Sequence, residues 1–170
     1  MKLKVFIPIV LFTLLTLIGC TSPSTESTNN TTKPLSTEAK SLIKYKNSYI
    51  GNATSVSQIV NLLPGNKFSS GISLQTSTKP YGLNVNYNAN SKKDDYAKFW
   101  KDNNSNIVLE KNAVVMFSLI QNADYVEFNV DDASTTPLKF TRESLTKKYE
   151  KELTNLFKTN EDILKFLSNK

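Results

Sequence analysis

Ile72-Ser-Leu-Gln-Thr-Ser-Thr-Lys-Pro-Tyr-Gly-Leu-Asn-Val-Asn-Tyr87 decides the fold. Ile72, Leu74 and Thr76 alternate with Ser73, Gln75 and Ser77, and Leu83, Val85 and Tyr87 alternate with Asn84, Asn86 and Asn88. Side chains of a strand point to opposite faces in turn, so each half has one apolar and one polar face. Between them stands Lys79-Pro80-Tyr81-Gly82. Proline fixes φ early in a turn and glycine accepts a positive φ at its exit. The stretch therefore predicts an antiparallel hairpin, half-buried, with Tyr81 near its tip.

Working outward, Leu42, Ile43, Tyr45 and Tyr49 predict a short helix within 38–49. Ser55-Val-Ser-Gln58 has the spacing of a capping box ahead of Val56, Ile59, Val60 and Leu63, and Pro64-Gly65 ends that helix. Past the hairpin, Tyr96, Phe99 and Trp100 stand on one side of a helical turn within 94–101. The most apolar run, Ala113-Val-Val-Met-Phe-Ser-Leu-Ile120, has no decisive period; its length and polar flanks favour a helix over 107–121. Val126, Phe128 and Val130 predict a strand, and Leu138 to Phe140 a short one beside it. Helices follow from Thr141 through Tyr149, a second stretch at Leu153, Leu156 and Phe157, and a last one after Thr159-Asn-Glu-Asp162, a capping box with Asp in the Glu position. Strands come in adjoining pairs, so the expected architecture is a single α+β domain: a small antiparallel sheet with helices packed on one face.

That domain occupies residues 38–170. Residues 1–19 read as an export signal: a positive start at Lys2 and Lys4, an apolar run from Val5 to Ile18, and Gly19 before a cysteine. Leu17-Ile-Gly-Cys20 resembles the lipobox of bacterial lipoproteins, which implies cleavage before Cys20 and diacylation of its sulfur. Two acyl chains hold a protein stably on a membrane. Residues 20–37 are then the lipidated cysteine and a 17-residue Ser/Thr/Asn leash (21–37) that lacks the apolar area to order itself. As a random coil it spans roughly 20–25 Å. The expected location is the extracytoplasmic face of the cell membrane.

Composition excludes much chemistry. The 170 residues include no histidine, one cysteine and one arginine, Arg142. Histidine acid–base catalysis, disulfides and His/Cys zinc sites are ruled out, and lipidation of Cys20 consumes the only thiol. The formal charge of +6 becomes +4 once Lys2 and Lys4 leave with the signal. The lysines are scattered among acids with no basic cluster, so no nucleic-acid partner is expected. The 20 lysines and 19 asparagines reflect amino-acid usage rather than a charge-based role. No cofactor is expected.

Few motifs carry chemistry. Ser41-Leu-Ile-Lys44 and Ser144-Leu-Thr-Lys147 match S-x-x-K, which places serine and lysine one helical turn apart, but the companion motifs are missing and the matches read as chance. Asp94-Asp95 reads as the acidic start of a helix, and Asp131-Asp132, on a strand, would point to opposite faces. The binding candidates are Tyr81, Arg142 and Trp100. Tyr81 either caps the core edge or contacts a ligand. Arg142 stands near a helix start, where the dipole disfavours it, and pairs with Glu143 or an anionic ligand. Trp100 lines a groove or, as one-sided aromatic turns more often do, the core.

Several segments together resemble an uncharacterised family of Gram-positive lipoproteins built on a domain of unknown function of the DUF4825 type. They are Tyr45-Lys-Asn-Ser-Tyr-Ile-Gly51, Ile59-Val-Asn-Leu-Leu-Pro64, Leu74-Gln-Thr76, Pro80-Tyr-Gly-Leu-Asn-Val-Asn-Tyr87, Asn112 to Ile120, the Tyr125 strand and the Thr141-Arg142 helix. Similar domains occur as outward-facing parts of membrane metallopeptidase sensors of the penicillin-sensing type; this chain lacks their zinc motif and spanning helices. The resemblance implies sensing or partner binding and supplies no mechanism. The leading expectation is a lipid-anchored binding or sensing module, not an enzyme, for an envelope protein or a small ligand. A serine–lysine or carboxylate hydrolase and a structural or immunity-type protein are the alternatives.

Overall fold

β1 (Ser69–Gln75) and β2 (Gly82–Tyr87) pair antiparallel, with Ile72 opposite Val85 and Leu74 opposite Leu83. The hairpin forms as its alternation predicts, but its loop is longer. The strands stop at Gln75 and restart at Gly82, and residues 76–81 connect them. The Lys79–Pro80 peptide is cis. Gly82 does not supply the positive φ expected of it; it lies inside β2. A Cβ there would fall 2.5 Å from the Tyr125 ring, so glycine is needed for close approach, not for a turn.

The computed structural model describes residues 39–90, 93–131 and 137–169. The export signal, Cys20 and the leash lie outside the described residues, as do Asp132 and the side chain of Ser41. Among the described residues no helix is long and apolar enough to cross a membrane.

After β2 the chain runs through α2 (Lys93–Asn103) and α3 (Ser105–Leu119) before β3 (Tyr125–Val130) and β4 (Leu138–Thr141). The sheet order is β1-β2-β3-β4. β3 and β4 pair antiparallel, but β2 and β3 are parallel, Leu83 beside Val126 and Val85 beside Phe128. The sheet is thus mixed where an all-antiparallel one is expected. The two-helix connection is long enough to carry the chain back to the end of the sheet where β2 began, which a parallel neighbour requires. The α+β class stands.

Leu83, Val85, Tyr87, Val126, Phe128 and Val130 fill one face of the sheet and are buried. Ser73, Gln75, Asn84, Asn86, Tyr125, Glu127, Asn129, Lys139 and Thr141 take the alternate positions on the other face. Asn129 donates to Asn86 Oδ1 at 2.8 Å across that polar face.

α3 lies in the middle of the core. Val108, Leu109 and nearly every residue from Asn112 to Leu119 are buried. A helix enclosed on all sides has no polar face, which is why its sequence shows no period. Around it stand the 3₁₀ helix Ala39–Tyr45, α2, α4 (Arg142–Tyr149), a 3₁₀ turn Leu153–Asn155 and α5 (Asn160–Ser168), while α1 (Ala53–Leu62) packs on that 3₁₀ helix and on β1. The first of these is 3₁₀ rather than α and stops four residues before Tyr49. The stretch through Leu156 and Phe157 is a single 3₁₀ turn. The cap of α1 is Asn52, whose side chain accepts the Ser55 N–H at 3.1 Å, so the expected box at Ser55 sits three residues too late. The Thr159–Asp162 box is present, with Asp162 Oδ2 accepting the Thr159 N–H at 2.8 Å and Thr159 Oγ1 accepting the Asp162 N–H at 3.2 Å.

Candidate functional site

A cleft of about 1000 Å³ opens where the β1–β2 loop, the start of β3, the end of β4 and α4 meet. Lys79 and Pro80 form one side, Asp124 and Tyr125 the floor, and Lys139, Thr141, Thr146 and Lys147 the far side, with Arg142, Glu143 and Glu152 completing it. Parallel β2 and β3 both begin here, and the antiparallel β4 ends here. The mixed topology therefore creates the site. No hairpin alone brings Lys79 beside Lys139.

The floor is a rigid knot of backbone hydrogen bonds. Asp124 Oδ2 accepts the Tyr81 N–H at 2.7 Å, while the Tyr81 carbonyl accepts the N–H groups of Asp124 (2.7 Å) and Tyr125 (3.2 Å). The Asp124 carbonyl accepts the Arg142 N–H at 2.9 Å. Tyr81 is accordingly half-buried and tied back onto β3; it is not a projecting tip. On the outer face, the Tyr125 ring crosses Gly82, and the Lys139 ammonium lies 4.1 Å from the ring centre. Lys79 lies 5.9 Å from the Tyr81 ring centre. Cations are attracted to the negative face of an aromatic ring, so both lysines stand against ring faces at the rim, and among the described residues neither has a carboxylate within ion-pair distance. The described ion pair lies elsewhere, between Lys148 and Glu110 at 2.7 Å. Among the described residues Lys79, Lys139 and Lys147 enter none.

Arg142 lines the cleft and also reaches the main chain at the end of α3. Its Nε donates to the Ala123 carbonyl at 2.8 Å, Nη1 to Phe117 at 2.9 Å and Nη2 to Ile120 at 2.5 Å. The guanidinium also lies 5.0 Å from the Phe117 ring centre. A sequence reading sees a cation badly placed at the start of α4. The structure shows it well placed at the end of α3, where carbonyls lack intrahelical donors and the dipole favours positive charge. Burial pulls the guanidinium pKa down, and the neighbouring Asp124 and Glu152 charges oppose that. Glu143 makes no ion pair with it.

Trp100 is in the core, not in the cleft. It packs against Tyr87 (5.1 Å between ring centres) and Phe99 (4.9 Å), and its ring edge leaves no room for a Cβ on Gly65, whose φ of +87° also requires glycine. Tyr87, Asn112 and Trp100 form a second polar cluster, wholly inside the core. Asn112 donates to the Pro64 carbonyl at 2.9 Å and its side chain stands beside the Tyr87 hydroxyl, while Trp100 Nε1 and Asn112 Oδ1 find no partner among the described residues. Burial pushes the Tyr87 phenol pKa up.

The motif candidates separate in the same way. Ser144 donates its hydroxyl to the Thr141 carbonyl at 2.9 Å, and among the described residues no serine hydroxyl meets a lysine amine. Asp94 and Asp95 occupy the first turn of α2, as read. Asp131 follows β3, and its N–H donates to the Tyr87 carbonyl at 3.0 Å. No group of three acidic, histidine or cysteine side chains among the described residues is arranged to hold a metal ion. Sequence reasoning missed Lys79, Tyr125, Lys139 and Asp124 as neighbours. The signal available was Gly82, whose missing side chain marks the place where another chain segment crosses.

No curated protein and no solved structure matches the chain. A family defined as a domain of unknown function, DUF4825, matches residues 42–161, which include α1, all four strands, the cleft and the Arg142 clamp. With well over half its length matched, the chain belongs to the DUF4825 family.

Proposed function

We infer that the protein is a lipid-anchored module on the extracytoplasmic face of the membrane, which binds a ligand or partner in the Tyr125 cleft and carries out no chemistry of its own. The observation behind the binding role is the cleft itself: three lysines, which enter no ion pair among the described residues, line it, with Lys139 over the Tyr125 ring and Lys79 near the Tyr81 ring. The commitment of the Ser144 hydroxyl to the Thr141 carbonyl speaks against the Ser144–Lys147 pair as a nucleophile and base. The anchor rests on Leu17-Ile-Gly-Cys20 after its apolar run.

The test expresses the full chain in a Gram-positive host. Palmitate label incorporates into the wild type and not into Cys20→Ala, which leaves the membrane fraction. A ligand panel then raises the melting temperature, and Tyr125→Ala removes the rise while keeping a cooperative melt. Hydrolysis of an ester or cell-wall substrate that Lys147→Ala abolishes would overturn the non-catalytic reading.

A further inference from the structure

We propose that the cleft takes a phosphate-bearing ligand, with Lys79, Lys139 and Lys147 as its cationic contacts and Tyr125 as the surface beneath the group that carries the phosphate. This deepens the binding role above and rests on it. The charge balance leads there. Arg142 gives three of its five N–H donors to main-chain carbonyls, and Asp124 and Glu152 stand near that half-buried cation. The whole lining sets Lys79, Lys139, Lys147 and Arg142 against Asp124, Glu143 and Glu152, a net charge of +1, and the cations besides Arg142 are all lysines.

The kind of cation narrows the class. A guanidinium fork matches a planar carboxylate, whereas an ammonium acts as a point charge with three rotatable donors. The chain's single arginine commits three of its five N–H donors to main-chain carbonyls, and the other cations of the cleft are lysines. Lys139 and Lys79 rest over rings instead of carboxylates, so binding an anion breaks no ion pair. Lys147 and Lys139 flank the same opening from α4 and β4, and the Thr146 hydroxyl adds a neutral donor. A cleft of about 1000 Å³ is larger than inorganic phosphate requires and suits a phosphate ester with its carrier group. A lipid headgroup and a soluble phosphate ester present the same chemistry.

The test uses the full chain in nanodiscs of phosphatidylcholine, titrated calorimetrically with glycerol 3-phosphate and, separately, with glycerol at matched ionic strength. The expected result is saturable binding of the phosphate ester and none of glycerol. Lys139→Gln weakens it about ten-fold, the loss of one charge-assisted hydrogen bond. Lys79→Gln and Lys147→Gln act likewise, while Lys101→Gln, on α2 and outside the cleft, does not. Repeating the titration in phosphatidylglycerol nanodiscs separates the sources. Undiminished binding assigns a soluble ester, and competition that Lys139→Gln relieves assigns the headgroup. Equal loss in Lys101→Gln and Lys139→Gln would reduce the effect to general charge and overturn the proposal. A neutral ligand that raises the melting temperature through Tyr125, with no phosphate response, would overturn the phosphate assignment and leave the binding role standing. Silence from every ligand and both nanodiscs would overturn both.

Discussion

Replacing Arg142 tests the tie between α3, the Ala123 loop and α4. The end of α3 is almost fully accounted for: Ile120 N–H serves the Met116 carbonyl, Ser48 N–H serves Leu119, and Arg142 serves Phe117 and Ile120. Removing the guanidinium strands three carbonyls at once. A hydrogen bond to a charged group contributes about 1.5–3 kcal/mol, and the three share one side chain that water partly reaches, so the sum is discounted to about 2–4 kcal/mol for Arg142→Ala. Arg142→Lys keeps the charge but offers a single point donor in place of the fork, and recovers about 1 kcal/mol of that. For a domain of this size the Ala variant melts about 10 °C lower. Urea unfolding followed by circular dichroism gives the free energy, with an unchanged m-value confirming the same folded state. If Arg142→Lys unfolds within about 0.5 kcal/mol of the wild type, the fork geometry carries no weight and the clamp is refuted.

Three further outcomes follow from the geometry. Gly82→Ala pushes a methyl group into the Tyr125 ring and costs about 1–3 kcal/mol, most of which Tyr125→Ala in the same chain restores; a lone Gly82→Ala without cost would show that the ring is not fixed there. Tyr149 has its phenol pKa pushed up to about 12 by burial, by donating to Glu110 and by the Glu110 charge. Its folded value lies above the unfolded one of about 10, so its contribution is complete below pH 10 and disappears as pH rises through about 12. Ultraviolet titration near 295 nm should show one late tyrosine moving earlier in Glu110→Gln, and an unmoved midpoint would contradict the assignment. Tyr87→Phe removes a buried hydroxyl whose polar neighbour is the Asn112 side chain, which already donates to the Pro64 carbonyl, and changes stability by no more than about 1 kcal/mol; a larger loss by denaturant titration would show that Asn112 bonds the hydroxyl firmly.

The strands, most helices, the Thr159 cap and the buried positions Val85, Phe128, Ile163 and Leu167 were legible in the sequence, because alternation and capping are set by sterics among residues a few places apart. α3 was legible as a helix only through its length, since a segment buried on every side carries no period. Sequence by itself also determined what chemistry is absent, a matter of residue inventory and not of geometry: no histidine, and one arginine.

Tertiary structure alone decided the rest. The direction of β2 against β3 depends on where a connection of more than thirty residues returns, and neither strand's own pattern differs between parallel and antiparallel partners. The role of Arg142 was invisible for a related reason: its acceptors are main-chain carbonyls, which every residue has, so no side chain at Phe117, Ile120 or Ala123 announces them. The cleft joins Lys79, Lys139 and Lys147 from a loop, a strand and a helix that meet only because the parallel pair brings the starts of β2 and β3 to one end of the sheet.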